Sequence, residues 1–302
     1  DNMNIGIIGL GLIGGSLGLD LLAANQDSEQ DTQINLQKNN YVWGVSRNPE
    51  TCKQAEAIAA VNIANTNIEN IPNLILAQTE IVVICTPISS ILPTIKGIAS
   101  KLPRNVTFTD VGSVKSAIVE PASKTFAEFG QRFVGSHPMA GNAFQGLLAA
   151  ERNLFQNRPC VVTPSDDLEA LEKVRSLWLS VGMNVIECSP EEHDRAVAMI
   201  SHAPVMISAS LIAACQEEDD AKVLKLAQTL ASSGFRDTSR VGGGNPELGR
   251  LMAEYNQTAI LRSLYTYQQS LQQVINLIES QEWDKLEAFL ANTQRDRLFY
   301  VE

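Results

Sequence analysis

The sequence predicts an α/β fold: a doubly wound, mainly parallel sheet followed by an all-helical domain. Three observations predict it. Strand-like and helix-like segments alternate through the first half of the chain. A glycine-rich turn joins the first apolar strand to the first helix. Beyond Ser189 the strands stop and long helical periodicities take over.

Strand patterns cover Asn4–Ile8, Tyr41–Val45, Ile81–Cys85, Val106–Thr109 and Arg132–Val134, with two more at Cys160–Thr163 and Asn184–Glu187. Helical patterns between them include Leu12–Ala24, Ser89–Lys101 and Val114–Phe129. Gln26 to Asn40 is rich in Gln, Asn and Asp and reads as an exposed, mobile insertion after the first helix. Ser189-Pro190-Glu191-Glu192 has the spacing of a capping box with proline at the first helical position. The helix it opens carries His193, Val197, Ile200, Pro204, Ile207 and Leu211 at helical spacing, with a kink expected at Pro204. A further helix over Ala221–Ser232 is expected to end at Gly234 as its cap. A loop with Gly242-Gly243-Gly244-Asn245-Pro246 follows, then helices over about 246–280 and 282–298. The expected domains are 1–188 and 189–302. The long apolar faces of the second predict a homodimer.

Composition sets limits. The 302 residues are 44% hydrophobic and 19% charged, with a net charge of −11, a globular balance without the basic footprint that nucleic acid demands. An anionic substrate therefore needs a local basic pocket. The five cysteines are scattered and form no CxxC pair, which argues against disulfides and zinc and fits a reducing cytoplasm. No signal-peptide pattern is visible, and Met3 reads as the natural start after Asp1 and Asn2. The apolar stretch Ala196–Ala214 contains His202, Pro204 and several serines, so it reads as a helix at a domain or subunit interface rather than a membrane span.

Gly9-Leu10-Gly11-Leu12-Ile13-Gly14 is a GxGxxG set between a buried strand and a helix. Gly9 permits the tight turn, Gly11 lets a pyrophosphate approach the backbone, and Gly14 lets helix and sheet pack closely. Amides from Leu12 and Ile13 at the helix start face the phosphates. This is the Rossmann-type dinucleotide cradle. The second strand ends in Ser46-Arg47-Asn48, without the carboxylate that would repel a ribose 2′-phosphate. Arg47 and Ser46 suit that phosphate, so the reading is NADP, with a solvated Arg47 as the alternative. Cys85-Thr86-Pro87 and Asp110-Val111-Gly112-Ser113 end two further strands, where sheet topology puts the ligand crevice; Thr86 and Pro87 join the cofactor set, as does Ser113.

Of the three histidines, His137 lies in Gly135-Ser136-His137-Pro138-Met139-Ala140-Gly141, just past a strand, and suits a general base. Ser113 is placed to bond either the substrate hydroxyl or His137. His193, in the first turn after the capping box, reads as structural or interfacial. His202 either reaches the cleft or packs. Arg236, Asp237 and Arg240 form a basic cluster in which Asp237 can hold one arginine while the other binds a carboxylate. No HExxH, nucleophile elbow, Walker loop or EF-hand is present, and no metal is expected.

Together the Gly9–Gly14 fingerprint, Thr109-Asp110-Val111-Gly112-Ser113-Val114-Lys115, Gly135–Gly141, Ile200-Ser201-His202-Ala203-Pro204, Gly234–Arg240 and Gly242–Pro246 resemble the prephenate/arogenate dehydrogenase family, nearest its NADP-dependent arogenate dehydrogenases of the cyanobacterial type. The resemblance implies that His137 is the catalytic histidine, Ser113 the site serine and Arg240 the substrate-carboxylate arginine, with Arg236 supporting. It also implies a helical dimerising second domain. Many prephenate-using members carry His-x-x-His in the kinked helix; here Val205 follows His202 by three residues, which points to arogenate rather than prephenate. The chain's end at Glu302 leaves the expectation that no appended regulatory domain follows. The competing readings are a prephenate dehydrogenase, a β-hydroxyacid dehydrogenase, for which Lys222 and Lys225 lack a matching context, and a catalytically silent NADP-binding sensor.

Overall fold

The computed structural model describes residues 3–28, 39–141 and 145–301, and side chains for these apart from 26–28. The chain divides into two compact units, Asp1–Ala196 and Val197–Glu302.

In the first unit β1 (Asn4–Ile8) leads through the glycine turn into α1 (Leu12–Ser28). There follow β2 (Tyr41–Val45), α2 (Pro49–Ala57), β3 (Ile63–Asn65), α3 (Asn73–Ala77), β4 (Ile81–Ile84), α4 (Ile88–Ile98), β5 (Thr107–Asp110), α5 (Ser116–Glu128) and β6 (Arg132–Phe133). These strands form one parallel sheet in the order β3-β2-β1-β4-β5-β6. The order reverses at β1, so the crevice above β1 and β4 is the topological switch point.

Both faces of this sheet are covered, and the strands show why. In β4, Ile81 and Val83 belong to one apolar cluster with Leu17 and Leu21 of α1. Val82 and Ile84 belong to the other, with Ile118 and Phe126 of α5. A run of four apolar residues thus serves two cores at once, as parallel strands do. Gly6 is required by the second core, because a Cβ there would lie 2.2 Å from the Trp43 ring. The Trp43 indole in turn donates to Thr79 Oγ1 at 3.0 Å.

The strands after β6 do not extend this sheet. β7 (Ser136–Pro138), β8 (Pro159–Val162) and β9 (Asn184–Glu187) form a second sheet, with β7 antiparallel to β8 and α6 (Leu168–Ser180) between β8 and β9. Neither β3 nor β7 is among the strands read from the sequence; three residues are too few to establish a period. The Gln26–Asn40 insertion lies largely outside the described residues. Its far end is held, since Asn40 bonds Asn25, the Leu21 carbonyl and the Met3 amide.

The capping box forms as the spacing predicts: the Glu192 amide donates to Ser189 Oγ at 3.1 Å and the Ser189 amide to Glu192 Oε1 at 3.2 Å. It opens α7 (Pro190–Val197). A turn of π-helix, Ala198–His202, then precedes α8 (Ala203–Gln216). Pro204 lacks the amide that would bond one turn back, so the expected kink takes the form of this widened turn.

The second unit continues with α9 (Ala221–Leu230), α10 (Ser233–Ser239), α11 (Pro246–Tyr255), α12 (Gln257–Glu279) and α13 (Trp283–Asp296). Gly234 is not a cap. It sits inside α10, and the cap of α9 is Ala231. The stretch read as one helix over 246–280 is two, broken at Asn256, whose φ and ψ are −130° and 36°. Among the described residues one helical run, Pro190–Gln216, is long and apolar enough to cross a membrane, and only 28% of its apolar window is buried within the chain. Leu226, Leu230, Tyr265 and Leu290 are also exposed.

Candidate active site

The cradle forms at the carboxyl ends of β1 and β4. Gly9 takes a positive φ of 100°, and a Cβ there would lie 2.9 Å from the Cys85 backbone. Its amide donates to the Val45 carbonyl at 2.9 Å, and Cys85 donates to the Ile8 carbonyl at 2.7 Å. A Cβ on Gly14 would lie 2.0 Å from the Gly9 carbonyl, whereas nothing lies within 4 Å of one on Gly11. Gly9 and Gly14 therefore close the turn, and Gly11 leaves room above it. The first turn of α1 has no acidic side chain to repel an anion. Thr86 Oγ1 is buried without a partner among the described residues, a polar atom that a bound cofactor would satisfy. These features fit a dinucleotide. Cys85 beside them is no nucleophile, because burial and then the Asp110 charge push its thiol far up.

Ser46 and Arg47 follow β2, with the Ser46 amide on the Asn65 carbonyl at 3.2 Å. Arg47 is exposed and Ser46 half-buried. Asn48 caps α2 through the Glu50 amide.

The end of β5 and the loop after it carry the next group. Asp110 is fully buried and accepts from the Gly112 and Ser136 amides at 3.0 and 3.2 Å. It is paired with the equally buried ammonium of Lys115, which also donates to the Ser136 carbonyl at 2.7 Å. Ser136 Oγ donates to the Asp110 carbonyl at 2.7 Å and accepts from the Trp178 indole at 3.0 Å. Thr109 Oγ1 lies 2.6 Å from the same hydroxyl. Ser113 is half-buried on this loop.

His137 is not in a loop past a strand but in the middle of β7, paired with Val161 of β8. Its Nδ1 lies 2.7 Å from Nε2 of His193, the rings meeting edge-on at 76°. His193 Nδ1 lies 2.8 Å from Asp194 Oδ1. Asp194 also accepts from the Lys115 and Ser116 amides at 2.8 and 3.0 Å. Burial alone would raise its pKa, but the bonds from His193 and the two amides outweigh it and hold the carboxyl below its ordinary range. His193 is therefore a partner that orients His137. Sequence reasoning read His193 as structural or interfacial; the signal it passed over was the adjacent His193-Asp194 pair.

In the second unit Arg236 lies in α10, and Arg240 follows it with helical dihedrals. Four residues apart on one helical path, the two guanidinium groups share a face. Among the described residues neither is ion-paired to Asp237, because neighbouring positions on a helix point about 100° apart. Ser208 Oγ donates to the Thr238 carbonyl and accepts from the Gly242 amide, which ties this segment to α8. His202 is buried at the end of the π-turn, with Asn256 Nδ2 3.1 Å from its Nδ1. Among the described residues no group of three or more His, Cys, Asp or Glu could hold a metal ion.

A parallel sheet with a phosphate cradle, and a second sheet bonded to the end of β5 that carries a histidine oriented by another, fit a nucleotide-dependent dehydrogenase. Residues 34–187 match the nucleotide-binding domain of prephenate dehydrogenase, and residues 189–292 its dimerization domain. The chain belongs to the prephenate dehydrogenase family. It is similar to the arogenate dehydrogenase of Synechocystis, at 47% identity and a TM-score of 0.82 over 98% of this chain and 99% of that one. It is 29% identical to the prephenate dehydrogenase of Bacillus subtilis over 93% of this chain and 71% of that protein. It is 27% identical to the cyclohexadienyl dehydrogenase of Zymomonas mobilis over 98% of this chain and 95% of that protein. The matching dimerization domain supports a homodimer, and the open apolar faces of the helical unit are what such an interface would cover.

Proposed function

We propose that this enzyme converts L-arogenate to L-tyrosine by oxidative decarboxylation with NADP, as a cytoplasmic homodimer. The observation that carries the chemistry is the position of His137, on a paired strand whose first residue is bonded by Lys115, at the end of the loop bearing Ser113. NADP would be held by Gly9, Gly11, Leu12, Ile13 and Gly14 at the pyrophosphate, by Ser46 and Arg47 at the 2′-phosphate, and by Thr86, Pro87 and Ser113 towards the nicotinamide. When bound it supplies the acceptor for the hydride from ring C4.

His137 accepts the proton of the C4 hydroxyl as that C–H bond is broken, and the C4 oxygen becomes the carbonyl of a dienone. The bond to the ring carboxylate then breaks and carbon dioxide leaves. Its electron pair restores the aromatic ring, and the oxygen regains a proton as the phenol. Aromatisation drives the loss, so the protein need supply only position and one base, the latter worth about 10²–10⁴-fold. Arg240 holds a substrate carboxylate, with Arg236 and His202 supporting. Val205, where a second histidine would favour a keto acid, and the likeness to the Synechocystis enzyme support arogenate over prephenate.

Absorbance at 340 nm with each of arogenate and prephenate against each of NADP and NAD tests the reading. The expected result is turnover greatest with arogenate and NADP. Greater turnover with prephenate would replace the substrate, and none with any pair would leave a nucleotide-binding sensor.

A further inference from the structure

His137 has two ring nitrogens, and only one can be the base. Which one is basic depends on groups that lie away from the cofactor cradle. An ionised Asp194 has only lone pairs to offer, so the His193 nitrogen facing it, Nδ1, must carry a hydrogen. A neutral His193 then has a bare Nε2, and this atom faces His137 Nδ1 at 2.7 Å. The bond between the rings needs its one hydrogen on His137 Nδ1. That leaves Nε2 as the basic nitrogen of His137.

We propose that His193 and Asp194 are positioning residues that fix His137 in the tautomer with its proton on Nδ1, and that they stabilise the imidazolium formed when Nε2 takes the substrate proton. Neither residue touches the reacting atoms. Their effect passes through His137, as an aspartate acts through histidine in a hydrolase triad.

The arrangement is built for this. His193 is buried, with 1% of its surface exposed, so its ring has no water to exchange partners with. Asp194 is fixed by the Lys115 and Ser116 amides as well as by His193, so its carboxylate cannot swing away. Lys115 belongs to the loop that carries Ser113, which ties the acid of the relay to the serine side of the site. As the charge forms on His137, the hydrogen bonds through His193 to Asp194 shorten the reach between opposite charges without moving a second proton. The role rests on the reading that His137 is the base of this dehydrogenase.

His193→Phe supplies the test, because it removes the ring that faces His137 Nδ1 and leaves the Asp194 carboxylate on the Lys115 and Ser116 amides. The bond that fixes the proton on His137 Nδ1 is then lost, and with it the link from His137 to the Asp194 charge.

The chain has three histidines, so ¹⁵N chemical shifts of the rings can be read singly, with His202→Gln assigning the third. In the wild type the expected shifts place hydrogens on Nδ1 of both His137 and His193. In His193→Phe the His137 shifts lose that preference for Nδ1, and kcat falls by about 10²–10⁴-fold, the share of one general base. KM for arogenate and for NADP stays within about threefold. A wild-type spectrum with the His137 proton on Nε2 would overturn the proposal, and it needs neither substrate nor a folded variant. So would a His193→Phe enzyme with near wild-type kcat. Wild-type protein that turns over neither arogenate nor prephenate would instead remove the proposed function while leaving the tautomer assignment standing.

Discussion

Lys115 Nζ donates to the backbone carbonyl of Ser136 across 2.7 Å, so a fully buried ammonium holds the residue immediately before His137. Its other partner is the buried carboxylate of Asp110. Removing one member of such a pair leaves an uncompensated charge, at a cost of about 3–5 kcal/mol. Lys115→Met should therefore lower the unfolding free energy by about that amount in urea titrations. The double variant Asp110→Asn/Lys115→Met should recover most of the loss, because no buried charge remains. Its kcat should stay low, since the Ser136 carbonyl still lacks its donor and β7 is less firmly placed. A double variant as unstable as the single one would show that packing of the lysine stem, and not charge, dominates.

Gly242 is needed for space. A Cβ there would lie 2.4 Å from the Ala209 amide nitrogen and 2.5 Å from the Ser208 carbonyl carbon, both backbone atoms of α8. Gly242→Ala should cost about 1–3 kcal/mol, the usual price of overpacking. Gly243, with nothing within 4 Å of a Cβ, should accept alanine with a change of about 0.5 kcal/mol or less. Thermal unfolding of the two variants side by side separates a close backbone approach from a general demand for flexibility in the glycine run.

Much of this could be read from the sequence, and what could not has identifiable reasons. β1, β2 and β9 begin and end where their apolar patterns do, and the cradle was legible because glycines, strand and helix all agree. β7 was not, although it carries His137, because three residues with a proline show no alternation. The break at Asn256 was hidden because the helical spacing of apolar residues runs on across it. Its reason is tertiary: the side chain makes no cap for α12 and reaches His202 instead. The role of His193 was hidden by 56 residues of separation from His137. Periodicity places a residue on a face of its own helix and says nothing of which distant strand meets that face.

Asp194 also gives the stability a predictable response to acid. Burial would raise its pKa, but the bonds from His193 and from the Lys115 and Ser116 amides lower it below the ordinary 3.8. A carboxyl whose folded value is depressed stabilises the fold fully above its unfolded value, and that contribution fades as pH falls through the folded value. The gap in unfolding free energy between wild type and Asp194→Asn should thus be constant from neutrality to about pH 5 and shrink below about pH 4. A gap that widened on acidification would mean that the carboxyl is protonated in the native state.

Arg47 offers the sharpest separation of the two nicotinamide cofactors. It is exposed at the end of β2, beside the amino end of α2, and no carboxylate occupies the strand end at Val45 or Ser46. A guanidinium there gains from a 2′-phosphate and has nothing comparable to meet in a 2′-hydroxyl. A hydrogen bond to a charged group is worth about 1.5–3 kcal/mol, so Arg47→Ala should raise KM for NADP by roughly 10- to 100-fold. KM for NAD should change by less than about threefold, and kcat with saturating NADP should be nearly kept, because the hydride-transfer end of the cofactor is untouched. Glu50, in the first turn of α2, pulls the other way. Glu50→Gln should lower KM for NADP modestly through reduced repulsion of the phosphate, with no matching change for NAD. Steady-state kinetics with both cofactors on both variants checks the pair. Equal loss of NADP and NAD on removing Arg47 would assign it to the adenine ribose in general and take the 2′-phosphate away from it.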